Sequence, residues 1–210
     1  MKKLLLGIAA VCLAGFTFAQ DAPLWMRHSV ISPDGTTIAF TYKGDIYTVP
    51  VAGGRAMQIT TNPAYATAPV WSPDRNRIAF ASDRMGSRDV YIVAKDGGEP
   101  RRLTTHSGSE TPLAFTDAGH VLFSAGIMPS AEAVVFPSNG QFNQVYRVSV
   151  EGGRPTMISS MPMECISINK EGAMLYQDKK GYEDYWRKHH VSPIARDLLM
   201  YTTGKEPQYR

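Results

Sequence analysis

One pattern of residue types returns along this chain at nearly constant spacing. The first unit reads Val30-Ile31-Ser32-Pro33-Asp34-Gly35, then Ile38-Ala39-Phe40, Asp45-Ile46-Tyr47-Thr48-Val49, Gly53-Gly54 and Ile59-Thr60. The second reads Val70-Trp71-Ser72-Pro73-Asp74, then Ile78-Ala79-Phe80, Asp89-Val90-Tyr91-Ile92-Val93, Gly97-Gly98 and Leu103-Thr104, with an offset of 40 from Ile31 to Trp71. A third, looser unit keeps Phe115, Val121-Leu122-Phe123, Val145-Tyr146 and Gly152-Gly153, and a fourth keeps Ile168, Met174-Leu175-Tyr176 and Leu198-Leu199. A period near 40 with β-type runs is the signature of stacked four-stranded blades.

Each unit makes physical sense as four short antiparallel strands. Ser-Pro-Asp-Gly matches a type I turn, in which Ser accepts a hydrogen bond, Pro presets φ and Gly closes the fourth position. Ile-Ala-Phe and Asp-Ile-Tyr-x-Val are β-branched and aromatic, as strands require. The Gly-Gly pair supplies the positive φ of a tight hairpin. A lone sheet leaves a face uncovered, whereas blades stacked around an axis cover one another. No stretch holds a helical period. The expected fold is therefore all-β: a β-propeller of four visible blades, about 28–66, 67–110, 111–163 and 164–210. The fourth unit reaches Arg210 where the earlier units run into Ile-Thr or Leu-Thr, so a truncated propeller with further blades is expected.

Residues 1–19 stand apart. Lys2 and Lys3 precede an apolar run, Leu4–Ala14, and Thr17-Phe18-Ala19 places small residues at −3 and −1. This is the pattern of a secretory signal peptide cut before Gln20, which predicts export to the periplasm or beyond. The run is too short for a membrane span. Val11 before Cys12 argues against lipidation, and removal of the leader leaves Cys165 alone, with no internal disulfide possible. Cys165 is expected to be a small buried hydrophobe. The chain as a whole has an ordinary globular composition, with 22 Lys plus Arg against 19 Asp plus Glu and no basic stripe, which speaks against nucleic acid as a partner.

No nucleophile elbow, phosphate loop or dinucleotide fingerprint is present. No catalytic, cofactor or metal residue is assigned, and no cofactor is expected. Asp34, Asp74 and Asp83 recur in turns, where carboxylates fix turns and link blades rather than hold cations. His189 and His190 are adjacent, so on a strand they face opposite sides and suit a metal poorly. Arg101 and Arg102 allow two readings, a carboxylate clamp or exposed edge charges, and the second is preferred. Trp71 is expected to open a first strand and to lie in the core.

The third and fourth units are longer, and the extra length falls between their second and third strands, at about 125–143 and 179–196. Connections of that type leave every blade on the same rim, and long loops on a rigid scaffold tend to carry function. The second insertion mixes Tyr182, Tyr185 and Trp186 with Glu183, Asp184, Arg187, Lys188, His189 and His190, a composition typical of interfaces. These residues are the candidate interface or peptide-route loop. The competing reading is that both loops simply pack on neighbouring blades.

Ser-Pro-Asp-Gly, Ile-Ala-Phe, Ser82-Asp83-Arg84-Met85-Gly86 and Asp96-Gly97-Gly98-Glu99-Pro100-Arg101-Arg102-Leu103-Thr104 resemble the WD40-like repeat of TolB and tricorn propellers. Met128–Glu132, Tyr176–Gly181 and Glu183–His190 are similar to segments of exported tricorn-like serine proteases. That resemblance implies a non-catalytic propeller that guides peptides to or from a serine-peptidase core outside this chain, in a protein that forms homo-oligomers. A TolB-like envelope binding module is one alternative, disfavoured because the first blade starts soon after the leader. The propeller of a prolyl-oligopeptidase-type enzyme is another.

Overall fold

The computed structural model describes residues 24–126, 143–161, 163–169, 171–178, 197–202 and 208–209. Residues 1–19, read above as a leader, and Tyr182–His190 of the candidate loop lie outside the described residues. Among the described residues, sixteen strands form four four-stranded antiparallel sheets, each built from strands consecutive in the sequence. The first holds β1 (Arg27–Ile31), β2 (Thr37–Tyr42), β3 (Asp45–Pro50) and β4 (Met57–Gln58). The second holds β5 (Ala66–Trp71), β6 (Arg77–Met85), β7 (Ser87–Ala94) and β8 (Arg101–Arg102). The third holds β9 (Glu110–Asp117), β10 (His120–Ala125), β11 (Gln144–Ser149) and β12 (Thr156–Ser159). The fourth holds β13 (Met163–Ile168), β14 (Met174–Asp178), β15 (Leu198–Tyr201) and β16 (Gln208–Tyr209). No helix occurs among the described residues, and they show the all-β propeller arrangement with the four visible blades that the repeat predicts.

The hairpin chemistry follows the sequence. Gly35 donates its amide to Ser32 O at 2.8 Å, closing the Ser-Pro-Asp-Gly turn. The paired glycines 53–54, 97–98 and 152–153 all have positive φ, where a Cβ would strain the backbone. They join third to fourth strands in three blades.

The core lies between blades. Alternation along β6 sends Ile78 and Phe80 toward the first sheet, where they meet Ala39, Ile46 and Ile59, and sends Ala79 toward the third. Along β7, Tyr91 and Val93 go one way and Val90 and Ile92 the other. The same division recurs at the third seam, where Leu122 and Val145 meet Met174, Tyr176 and Leu199. Each seam thus sets a small-residue face of one blade against the large face of the next. On the large face a Phe on the second strand stacks on its cross-strand Tyr: Phe40–Tyr47 and Phe80–Tyr91 at 5.9 Å and Phe123–Tyr146 at 5.6 Å. Such pairs contribute about 0.5–1.5 kcal/mol beyond their burial. In the fourth blade the pair becomes Tyr176 opposite Leu199.

The first strands β1, β5, β9 and β13 contact one another in sequence, so they form the inner wall around the axis. Each pairs irregularly with its second strand. In β1, β5 and β13 a non-glycine residue at the irregularity has positive φ: His28 at 51°, Ala68 at 51° and Cys165 at 53°. This corrects the expectation for Cys165, whose side chain is exposed. The bulge between Glu164 and Ser167 breaks the alternation, so Ile166 is turned into the core between blades and Cys165 toward solvent. Trp71 is corrected too. It closes β5 rather than opening it, and it is half-buried against the seam between blades one and two.

Candidate functional site

Two rims frame the axis. One carries the β2–β3 type connections and the beginnings of the first strands. In blade one this connection is Lys43-Gly44, both at positive φ, and in blade two it passes through Gly86. In blades three and four the long connections leave from Ala125 and Asp178 and return at Gln144 and Leu198, on this same rim. The described ends of both insertions therefore lie on one side of the propeller.

Aromatic and cationic side chains cluster on this rim. Arg27 lies 5.6 Å from the Trp25 ring, and Lys43 Nζ 5.2 Å from that of Tyr42. Arg84 covers Tyr91 at 4.5 Å and Phe80 at 5.5 Å. Leu24, Trp25, Met26, Tyr65 and Met85 are exposed here. Exposed Trp, Tyr, Met and Arg together mark a recognition surface more than a solvated one. The rim is held in place from within: Tyr65 N donates to Asp83 Oδ1 at 2.9 Å, and Ala66 N to Gly44 O at 2.7 Å. Asp83 thus fixes the start of β5.

The opposite rim is a set of polar clamps. Asp34 accepts from Ser32 Oγ at 2.6 Å, from Thr36 N and Oγ1, and from Arg75 of the next blade at 2.8 Å. The Ser32 hydroxyl, then Arg75, hold its carboxyl far below the usual range. Asp74 repeats the turn with Ser72, whose hydroxyl is the main cause of its lowered pKa. A polar cleft of about 170 Å3 lies between these two turns, bordered by Asp34, Trp71, Arg75 and Lys95. Arg77 reaches Ala118 O of blade three at 2.9 Å. The turn aspartates are thus structural, as their positions predict.

Arg101 is the exposed edge charge that the sequence favours, though it is paired, whereas Arg102 is drawn into its own blade. Arg101 pairs with Glu151 of blade three at 2.9 Å and also donates to Val150 O. Arg102 is tied inside its own blade to Asp89, a fully buried carboxylate, at 2.8 Å. Sequence reading missed these partners because one lies 50 residues on and the other two strands' length away. A histidine–carboxylate pair, His120 Nδ1 to Asp117 Oδ1 at 3.0 Å, closes the exposed β9–β10 turn. Among the described residues no three His, Cys, Asp or Glu side chains are placed to hold a metal ion. The candidate residues Tyr182, Glu183, Asp184, Tyr185, Trp186, Arg187, His189 and His190 lie between the described ends Asp178 and Asp197.

Contiguous four-stranded blades, a wall of first strands and one elaborated rim define a β-propeller of the WD40-like class. The family model of the tricorn protease N-terminal beta propeller domain matches residues 23–209, and the chain belongs to that family. It is 35% identical over 102 residues to Tricorn protease homolog 1 of Streptomyces coelicolor, an alignment that takes in 48% of this chain and 9% of that protein. Over 189 residues it is 22% identical to a protein of Sulfurisphaera tokodaii named as a Tricorn-like protease N-terminal subunit, covering 86% of this chain and 90% of that one. The crystal structure of the tricorn protease superposes with a TM-score of 0.64 at 17% identity, over 90% of this chain and 18% of the other. The chain thus spans a small part of the Streptomyces relative and nearly all of the Sulfurisphaera one.

Proposed function

We propose that this propeller is the non-catalytic, peptide-handling portion of an exported tricorn-like serine peptidase. It guides or gates peptides to or from a catalytic core that lies outside the described residues. The observation that carries this reading is the coincidence of family and geometry. In a chain that belongs to the tricorn propeller family, the described ends of two long connections and the exposed Trp25, Arg27 and Met85 lie on one rim. Long connections on a scaffold of packed blades are suited to contact an extended chain. The partners are peptides, and other copies of the same protein in a homo-oligomer. The leader pattern at 1–19 supports a periplasmic or extracellular setting.

The test is a variant of the protein as isolated from its source cells, with residues 179–196 replaced by a two-residue hairpin of the kind that joins β2 to β3. Loss of peptide hydrolysis or of assembly, with the fold retained, is the expected result. Unchanged hydrolysis and unchanged assembly contradict the reading.

A further inference from the structure

Glu110 breaks the pattern of the repeat. Counting five residues back from the apolar residue at the end of each unit's opening run (Ile31, Trp71, Phe115, Ile168) gives Met26, Ala66, Glu110 and Met163. Three of these are apolar, and the third blade alone places an acid there. The acid is not on the surface. Glu110 begins β9 and is 1% exposed, and neither carboxylate oxygen has a partner at full hydrogen-bond geometry. Burying a carboxyl without compensation costs several kcal/mol if it is charged.

The groups around it are few. From β7 comes Asp89, 0% exposed, with Oδ2 on Arg102 and Oδ1 unpartnered. From β8 comes Arg102, and from the loop after it Thr104, whose hydroxyl already accepts from Val90 N at 2.9 Å. On its own sheet Glu110 shares a row with Ala125 and the buried Gln144. β5 brings no charged side chain, and on β6 Arg77, Asp83 and Arg84 are engaged elsewhere. β13, packed on β9, carries Glu164. One guanidinium therefore stands beside two buried carboxyls, and it is already bound to one.

We propose that Glu110, set against Asp89, is a proton-operated catch at the seam between the second and third blades, closed when Glu110 is protonated and loosened when it is ionised. Burial first, and Asp89 in addition, push its carboxyl up to about 7, against the opposing pull of Thr104 and Arg102. The folded chain therefore keeps a proton that the unfolded chain releases near the ordinary value of 4.5. Folded protein binds more protons than unfolded protein between those two values, so stability falls as pH rises from about 4.5 through about 7. Because β9 belongs to the inner wall, loosening this seam acts on the axial opening itself.

The experiment compares the full chain with Glu110→Gln and with Asp89→Asn by thermal unfolding from pH 5 to pH 8. Hydrogen exchange of residues 103–115, corrected for intrinsic pH dependence, is read in parallel. The unaltered chain is expected to lose several degrees of melting temperature across that range and to gain exchange in this segment. Glu110→Gln is expected to abolish both changes, and Asp89→Asn to move their midpoint to lower pH. Equal pH slopes in the unaltered chain and Glu110→Gln overturn the proposal. So does a midpoint unmoved by Asp89→Asn, which decides the matter if Glu110→Gln does not fold.

Discussion

Arg75 of the second blade holds Asp34 of the first at 2.8 Å, and it does so from the position that glycine occupies in the first blade. Both residues have positive φ, Gly35 at 71° and Arg75 at 63°. The second blade therefore accepts left-handed strain at a side-chain-bearing residue in exchange for an inter-blade ion pair. That pair is exposed, and exposed pairs contribute about 0–1 kcal/mol. Left-handed strain at a non-glycine costs about 1–2 kcal/mol. Arg75→Gly is accordingly expected to leave stability unchanged or to raise it by up to about 2 kcal/mol, whereas Arg75→Ala keeps the strain and loses the pair. Urea unfolding of the two variants separates the terms; a Gly variant less stable than the Ala variant contradicts this account.

Arg102 and Asp89 form the opposite kind of pair, because Asp89 is fully buried. Arg102→Met leaves that carboxylate alone and is expected to cost about 3–5 kcal/mol. Blade three supplies a neutral version of the same pair, with Gln144 and Met157 at the matching register positions. Adding Asp89→Gln to Arg102→Met is therefore expected to recover most of the loss. A double variant no more stable than Arg102→Met alone shows that the pair is not the cause.

Phe80 sits fully buried in the seam between blades one and two, stacked on Tyr91 and covered by Arg84. Phe80→Ala removes the transfer energy of the ring and leaves a cavity, for an expected cost of about 3–5 kcal/mol. Phe40→Ala on the first blade, which faces away from that seam, is expected to cost less. Equal losses in chemical denaturation contradict the view that the core lies between the blades.

Much of this fold is legible in the sequence, because strand alternation, Gly-Gly hairpins and Ser-Pro-Asp turns are local and repeat. Asp34 and Asp74 sit where their turns demand. What escapes the sequence is whatever depends on a bulge or on the next blade. Cys165 reads as buried until the irregularity at Glu164–Ser167 turns it out. Arg101 is the exposed edge charge the sequence suggests, but its partner Glu151 comes from the neighbouring sheet. Glu110 was visible in principle, since aligning the units on Ile31, Trp71, Phe115 and Ile168 exposes the acid among apolar residues. The rim is legible only as two insertions of equal placement, since exposure of single side chains such as Trp25 and Met85 leaves no trace in local pattern.

Cys165 gives direct access to the inner wall. As an exposed thiol it is expected to react with a thiol reagent in the folded protein, without denaturant. Reaction that begins only as the protein unfolds contradicts its placement.

The same thiol allows the most direct test of peptide passage. A photocrosslinker attached at Cys165, in the protein as isolated from its source cells, is irradiated while peptides are being hydrolysed. A matching probe goes at Asp96, on an exposed turn of the opposite rim, with Cys165 replaced by serine. If the propeller conducts peptides along its inner wall, Cys165 captures peptide and Asp96 does not. Equal capture at both positions, or none at Cys165 during active turnover, contradicts that role.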